Sequence, residues 1–159
     1  MESAVHREVV FADYFQFVLM DANSEADFST IWTEEAFASM LAAGPGAICP
    51  GTLRNVDVPV EIHICTSAPE IDLDQYDHVT EASIDISTGE LLLTNCTGYL
   101  PDARRIQVEP GTYEVLFLVS GIESIKNEWD PADDVYSVFL WPGKARTVNA
   151  VKHWRRADA

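Results

Sequence analysis

Positive charge is scarce in this sequence. Its 159 residues hold 10 lysines and arginines against 26 aspartates and glutamates, a formal net charge of −16. That balance argues against a direct nucleic-acid ligand, because phosphate binding needs clustered Lys and Arg. Long apolar runs are missing too. None approaches the roughly 18 residues needed to span a bilayer, so no membrane partner is expected. The N-terminus places Glu2, His6, Arg7 and Glu8 ahead of any apolar stretch, without the basic-then-apolar order of an export signal. Cys49, Cys65 and Cys96 form an odd set without close spacing. They are read as buried thiols of a reducing compartment, with one bridge left open, and the expected location is cytoplasmic.

Catalytic signatures are equally scarce. The chain has no nucleophile elbow, no glycine-rich phosphate loop, no His-Glu-x-x-His and no Cys-x-x-Cys, so no enzyme and no cofactor are expected. His6, His63, His78 and His153 are scattered, and His63, on the polar side of a strand, is read as a satisfied structural residue. Cys49 has no adjoining base to activate it. Asp72-x-Asp74-x-x-Asp77 has the look of a calcium loop but lacks its turn glycine and distal glutamate.

What is present folds. Apolar residues make up 47% of the chain and aromatics 10%, enough for one domain of this length to bury a core. Residues 8–22 alternate as a strand with both faces partly covered. Thr33 is a candidate N-cap ahead of Glu34 and Glu35, and Ala36, Phe37, Met40 and Leu41 then repeat at helical spacing until Gly44-Pro45-Gly46. From there the period is two. Val58 to Ile64 alternates, with Pro59 marking a strand start or an edge. Ala82 to Ile86 and Glu90 to Thr97, around Ser87-Thr88-Gly89, read as a hairpin. Residues 104–108, 113–119, 135–141 and 146–151 complete the series. The expectation is an all-β, two-layer antiparallel β-sandwich, or a partly closed barrel, of seven to nine strands with one short helix near residues 33–43. A single domain spans 1–159, with a basic C-terminal tail from about 152.

The charge is uneven. Residues 144–159 carry a net +4 and residues 1–143 a net −20. Carboxylates crowd into two predicted loops, one with Glu70, Asp72, Asp74 and Asp77, the other with Glu123, Glu128, Asp130, Asp133 and Asp134 around Trp129. Loops are where binding residues concentrate. An aromatic among carboxylates suits a contact with a basic protein, although Trp129 can equally fold back onto the core. The candidate partner-binding residues are therefore Glu128, Trp129, Asp130, Asp133 and Asp134, then Asp72, Asp74 and Asp77. Trp154, Arg155 and Arg156 are read as a frayed end.

One set of motifs resembles a known family. Tyr14-Phe15-Gln16-Phe17, Trp32-Thr33-Glu34-Glu35-Ala36, Gly46-Ala47-Ile48 and Arg54-Asn55 follow in an order and spacing similar to the competence protein J family, mainly over the first 65 residues. Beyond them, Glu109 to Tyr113 resembles that family's turn into a late strand. The family comprises small bacterial cytoplasmic proteins regarded as inhibitors of a DNA-entry nuclease. The resemblance implies a non-enzymatic inhibitor or immunity-type protein whose partner is a basic protein, a nuclease. The competing expectation is a small-ligand or calcium-binding sandwich module. Phe15, Phe17, Trp32 and Phe37 within the matching motifs are read as core.

Overall fold

Alternation turns one face of each strand inward, and here it does so twice. The computed structural model describes residues 3–154. Its strands are β1 (Ser3–Phe11), β2 (Val18–Asp21), β3 (Leu41–Gly44), β4 (Ala47–Pro50), β5 (Asp57–Cys65), β6 (His78–Ile86), β7 (Glu90–Thr94), β8 (Arg104–Gln107), β9 (Gly111–Ser120), β10 (Val135–Pro142) and β11 (Asn149–Lys152), with one α-helix, α1 (Glu34–Ser39). A six-stranded sheet runs β1-β5-β10-β9-β6-β11 and a five-stranded sheet runs β3-β4-β2-β7-β8. Between them lies the main core, with Val58, Val60 and Ile62 of β5, Val115, Phe117 and Val119 of β9, and Tyr136, Val138 and Leu140 of β10 facing Phe17, Leu19, Ile48, Leu91 and Leu93. Phe17 meets Phe117 edge-on at 6.2 Å between ring centroids.

The sandwich is confirmed, and five details differ from the expectation. The strands number eleven among the described residues, and β5 pairs with β10 in parallel, so the larger sheet is mixed. Residues 8–22 are two strands in different sheets, separated by a 3-10 turn at Asp13–Phe15. The helix ends at Ser39, not near 43, because Met40 is left-handed at φ 57°, ψ 29° and the chain turns at once into β3. Finally, 82–86 and 90–97 form no hairpin. The turn at 87–89 carries the chain from the large sheet to the small one, so β6 pairs with β9 and β11 while β7 pairs with β2 and β8.

Buried Asp21 holds that crossover, accepting from the Thr88 N–H at 3.0 Å and the Thr88 hydroxyl at 2.7 Å. Burial pushes its carboxyl up, but these bonds, with those from Asn23 and Ser87, outweigh it and leave it below the ordinary carboxylate range. Gly89, at φ +77°, is needed here, since a Cβ would lie 2.8 Å from the Val108 carbonyl oxygen. Pro59 sits one residue before the β5–β10 pairing begins at Val60, so its missing N–H breaks no bond on that side.

The small sheet is covered on its outer face as well. Val18, Met20, Ala42, Ala47, Cys49 and Leu92 form a second apolar cluster with Ala36 of α1, packed by Phe28, Ile31 and Trp32 from the preceding segment. This is why β2 is buried at every position and why its sequence lacks clean alternation. Thr33 caps α1 as expected, its hydroxyl accepting from Ala36 N–H at 3.1 Å. At the other end of α1, buried His78 of β6 bonds the Ser39 carbonyl oxygen through Nε2 at 2.7 Å. The Trp154 N–H reaches His78 Nδ1 at 3.2 Å, which identifies the neutral imidazole with Nε2 protonated. Trp154 packs on the core and Lys152 donates to the Leu73 carbonyl at 3.1 Å. The chain is thus held in place through Trp154; Arg155 and Arg156 lie outside the described residues.

One buried ion pair closes the fold. Arg54, before β5, donates to Asp134, before β10, through Nε at 3.1 Å and Nη2 at 2.6 Å. The Tyr136 hydroxyl donates to the same carboxylate at 2.7 Å and accepts from the Leu53 N–H at 3.1 Å. Burial, with the Asp134 charge beside it, pushes the Tyr136 phenol far above its ordinary range. Asp134→Ala leaves the Arg54 charge buried without a partner, and urea unfolding should show a loss of about 3–5 kcal/mol; a loss below about 1 kcal/mol would show the pair to be dispensable.

His78 gives a pH signature. Burial pushes its imidazole below the ordinary 6.5, with His153 adding to that and the Ser39 bond opposing it. A folded-state value below the unfolded one means stability present above about pH 6.5 and lost as pH falls below it. Stability measured relative to His78→Asn should therefore decline from pH 7 to pH 5, and a rise over that range would mean that the imidazolium is the folded form.

Candidate functional site

Sheet topology gathers the informative loops at one end. The end of β9 lies beside the starts of β6 and β10, since Val119 pairs with His78 and Ser120 with Val135. The parallel β5–β10 pairing puts the start of β5 there also. Three loops meet at this end: residues 51–56, the Asp72–Asp77 segment and residues 121–134. The turn between β1 and β2 joins them, with Ala12 N–H bonded to the Val56 carbonyl at 2.9 Å and Thr52 N–H to the Phe15 carbonyl at 2.8 Å.

The β1–β2 turn and the 51–56 loop, with the segment through α1, border a groove of about 730 Å³ lined by Tyr14 to Gln16, by residues from Phe28 to Met40 and by Gly51 to Leu53, with Cys96. Tyr14 and Phe37 are each 68% exposed and Phe15 is 46% exposed. Trp32 is held between them, its indole N–H donating to Gln16 Oε1 at 2.9 Å and its ring 5.0 Å from that of Phe37. Of the four aromatics read as core, only Phe17 is wholly buried. Phe15 and Phe37 point to the surface, and Trp32 is half-buried.

The groove is built at the expense of backbone comfort. Tyr14, Phe15 and Met40 are the non-glycine residues with positive φ among those described, at 58°, 61° and 57°, and all three line it. Each costs about 1–2 kcal/mol relative to the right-handed region. Strain of this kind in bulky residues gathers at functional positions. The backbone also closes in, with Gly51 N–H bonded to the Met40 carbonyl at 2.7 Å.

The acidic loops stand next to it. Leu53 lines the groove, and its neighbour Arg54 donates from Nη1 to the Asp130 carbonyl at 3.1 Å, fixing the 121–134 loop. Within that loop Asn127 Oδ1 accepts from the N–H groups of Trp129 and Asp130 at 2.9 and 2.8 Å, and Trp129 stands 78% exposed. Asp130 and Asp133 are exposed, whereas Glu128 is half-buried. The second loop meets the first where Asp77 Oδ2 accepts from the Ile122 N–H at 3.0 Å. Asp72 and Asp74 are exposed, and Asp72 caps the turn at Leu73–Gln75. One expectation is corrected: Asp134 is fully buried and belongs to the Arg54 pair, so its carboxylate is not presented to a partner.

Electrostatics sharpen the picture. Each arginine among the described residues faces a carboxylate: Arg7 with Glu61, Arg54 with Asp134, Arg104 with Glu8, Arg105 with Glu90, and Arg146 with Glu81 and Glu114. The exposed pairs add little stability, but they occupy the exposed arginines, and among the described residues Asp72, Asp74, Asp130 and Asp133 have no ion pair. Burial raises the thiols of Cys65 and Cys96 above their ordinary range, and burial with Cys96 nearby pushes Cys49 up to about 12, so none is an activated nucleophile. All three cysteines are free. His63 stacks on Phe139 at 4.0 Å and bonds Glu61 at 3.1 Å, a structural arrangement. Among the described residues no three His, Cys, Asp or Glu side chains form a group that could hold a metal ion, and no helix is long and apolar enough to cross a membrane.

No protein-family model and no curated protein sequence matches the chain. Two solved structures share its fold. The crystal structure of ComJ from Bacillus subtilis, inhibitor of the DNA degrading activity of NucA, superposes with a TM-score of 0.66 at 16% identity, over 89% of this chain and 98% of that one. A protein described as crocagin biosynthetic gene J gives 0.62 at 18% identity, over 91% and 100%. The resemblance to the competence protein J family thus holds at the level of the fold, and over most of the chain, well beyond residue 65.

The strain at the groove can be measured. Tyr14→Gly removes a mostly exposed ring and a left-handed backbone penalty. Urea unfolding should show a gain of roughly 0.5–1 kcal/mol. A loss of similar size would mean that the ring's packing outweighs the strain.

Proposed function

We propose that this chain is a non-enzymatic, inhibitor-type protein that occupies the basic, substrate-binding surface of a nuclease, with exposed carboxylates in the positions that DNA phosphates would take. The observation that supports it most is the meeting of both acidic loops at one end of the sandwich, tied together by Asp77 and Ile122. The shared fold with ComJ, described as inhibiting the DNA-degrading activity of NucA, supports the same class of role. Asp130, Asp133, Trp129 and Glu128 form the leading contact set, and Asp72 and Asp74 the second. Asp77 and Asp134 act by holding the loops that carry the others.

Charge complementarity of this kind accelerates encounter and is screened by salt. The test is DNA degradation by the nuclease encoded nearest this protein's gene, with and without the purified chain. Inhibition should weaken as NaCl rises from 50 to 500 mM, and the quadruple charge reversal of Asp72, Asp74, Asp130 and Asp133 to Lys should slow association at least ~10-fold. Undiminished inhibition by that variant would remove the acidic loops from the interface, and absence of inhibition by the native chain would remove that nuclease as a partner.

A further inference from the structure

The aromatic groove is not explained by mimicry of phosphates, which calls for carboxylates alone. We propose that it is the seat of a polypeptide segment of the partner, in which one or two large apolar side chains are flanked by lysine or arginine.

Three independent observations point there. Its volume, about 730 Å³, exceeds what one side chain fills. Solvent-facing rings are rarely placed on strained backbone without a use, yet Tyr14, Phe15 and Met40 are all left-handed. The surrounding charge selects the occupant. From Glu8 to Leu53 the sequence has no lysine or arginine but seven carboxylates, and this stretch supplies every groove residue except Cys96. Asp13, Asp27, Glu34 and Glu35 directly adjoin or lie within two residues of the groove residues Tyr14, Phe28, Trp32 and Phe37. The nearest cation along the chain, Arg54, is buried and engaged by Asp134. An apolar floor with an acidic margin suits side chains that bury hydrocarbon while keeping cations at the edge, where the rings add cation–π attraction. A second copy of this chain fits poorly, because a net charge of −16 opposes self-association.

The inference rests on the reading of a basic protein partner for its flanking charges, and it is tested without any nuclease. A phage-displayed library of random linear 12-residue peptides is panned against the full chain. The enriched peptides are then measured on the Tyr14→Asn/Phe37→Ser double variant, in which asparagine tolerates the left-handed backbone. Both replaced rings are mostly exposed, and an unchanged melting temperature verifies the fold. Enriched peptides should pair Phe, Trp, Leu or Met with Lys or Arg and bind the double variant at least ~10-fold more weakly. No enrichment, enrichment without basic residues, or equal binding to both proteins would overturn the proposal. So would a dimer in sedimentation velocity that the double variant abolishes, since a second copy would then fill the groove. Peptide binding without nuclease inhibition upholds this inference and removes only the nuclease; salt-sensitive inhibition that the double variant leaves intact removes the groove alone.

Discussion

The bidentate Arg54–Asp134 pair is the constraint on which the working end of this molecule depends. One guanidinium joins residues 80 positions apart, and its remaining nitrogen holds the Asp130 carbonyl. The same carboxylate takes the Tyr136 hydroxyl, which in turn receives the Leu53 N–H. The groove-lining 51–53 loop and the acidic 121–134 loop are therefore fixed to one buried point. Neither ion is left unsolvated without a partner, which is the condition under which a buried charge is tolerable. Gly121 lets the acidic loop close beside it, for a Cβ there would strike the Asp133 backbone.

Around that point the fold divides its work between two sheets. The large sheet is a frame, and Arg7 and Arg146 meet the carboxylates of Glu61, Glu81 and Glu114 on its strands. The small sheet is covered on its outside by α1 and the segment between β2 and α1, and this covering segment also supplies Phe28, Trp32 and Phe37 to the groove. Helix α1 is too short to hold itself in water. It stays because Ala36 is buried and because His78 bonds its last residue. Core packing on one side of the covering segment thus maintains an open aromatic surface on the other.

Much of the architecture was legible in the residues. Period-two runs at 58–64, 113–119 and 135–141 became β5, β9 and β10, and Thr33 caps the helix. Pairing was less legible. Ser87-Thr88-Gly89 has the composition of a hairpin turn, yet Asp21, more than sixty residues away, captures Thr88 and sends the two strands to different sheets. Of the candidate site, the exposed carboxylates and Trp129 could be found by charge and composition. The groove could not, because Phe15 and Phe37 have the hydrophobicity of core residues; left-handed backbone at Tyr14 and Phe15 turns Phe15 outward, and α1 buries Ala36 and leaves Phe37 exposed. Asp134 erred in the other direction: within an acidic cluster it looked like its neighbours, and nothing local announces a partner as distant as Arg54.

By itself, then, the sequence determined the all-β sandwich class, the capped helix, the carboxylate-rich loops and the shortage of free cations, since each follows from local periodicity, capping chemistry or composition. Tertiary structure alone decided which carboxylate is buried, which aromatics face solvent and that both acidic loops share an end with the groove. The physical reason is that burial and proximity are set by strand pairing across long separations. The parallel β5–β10 pairing and the Arg54–Asp134 bond bring together residues whose spacing along the chain carries no trace of their contact.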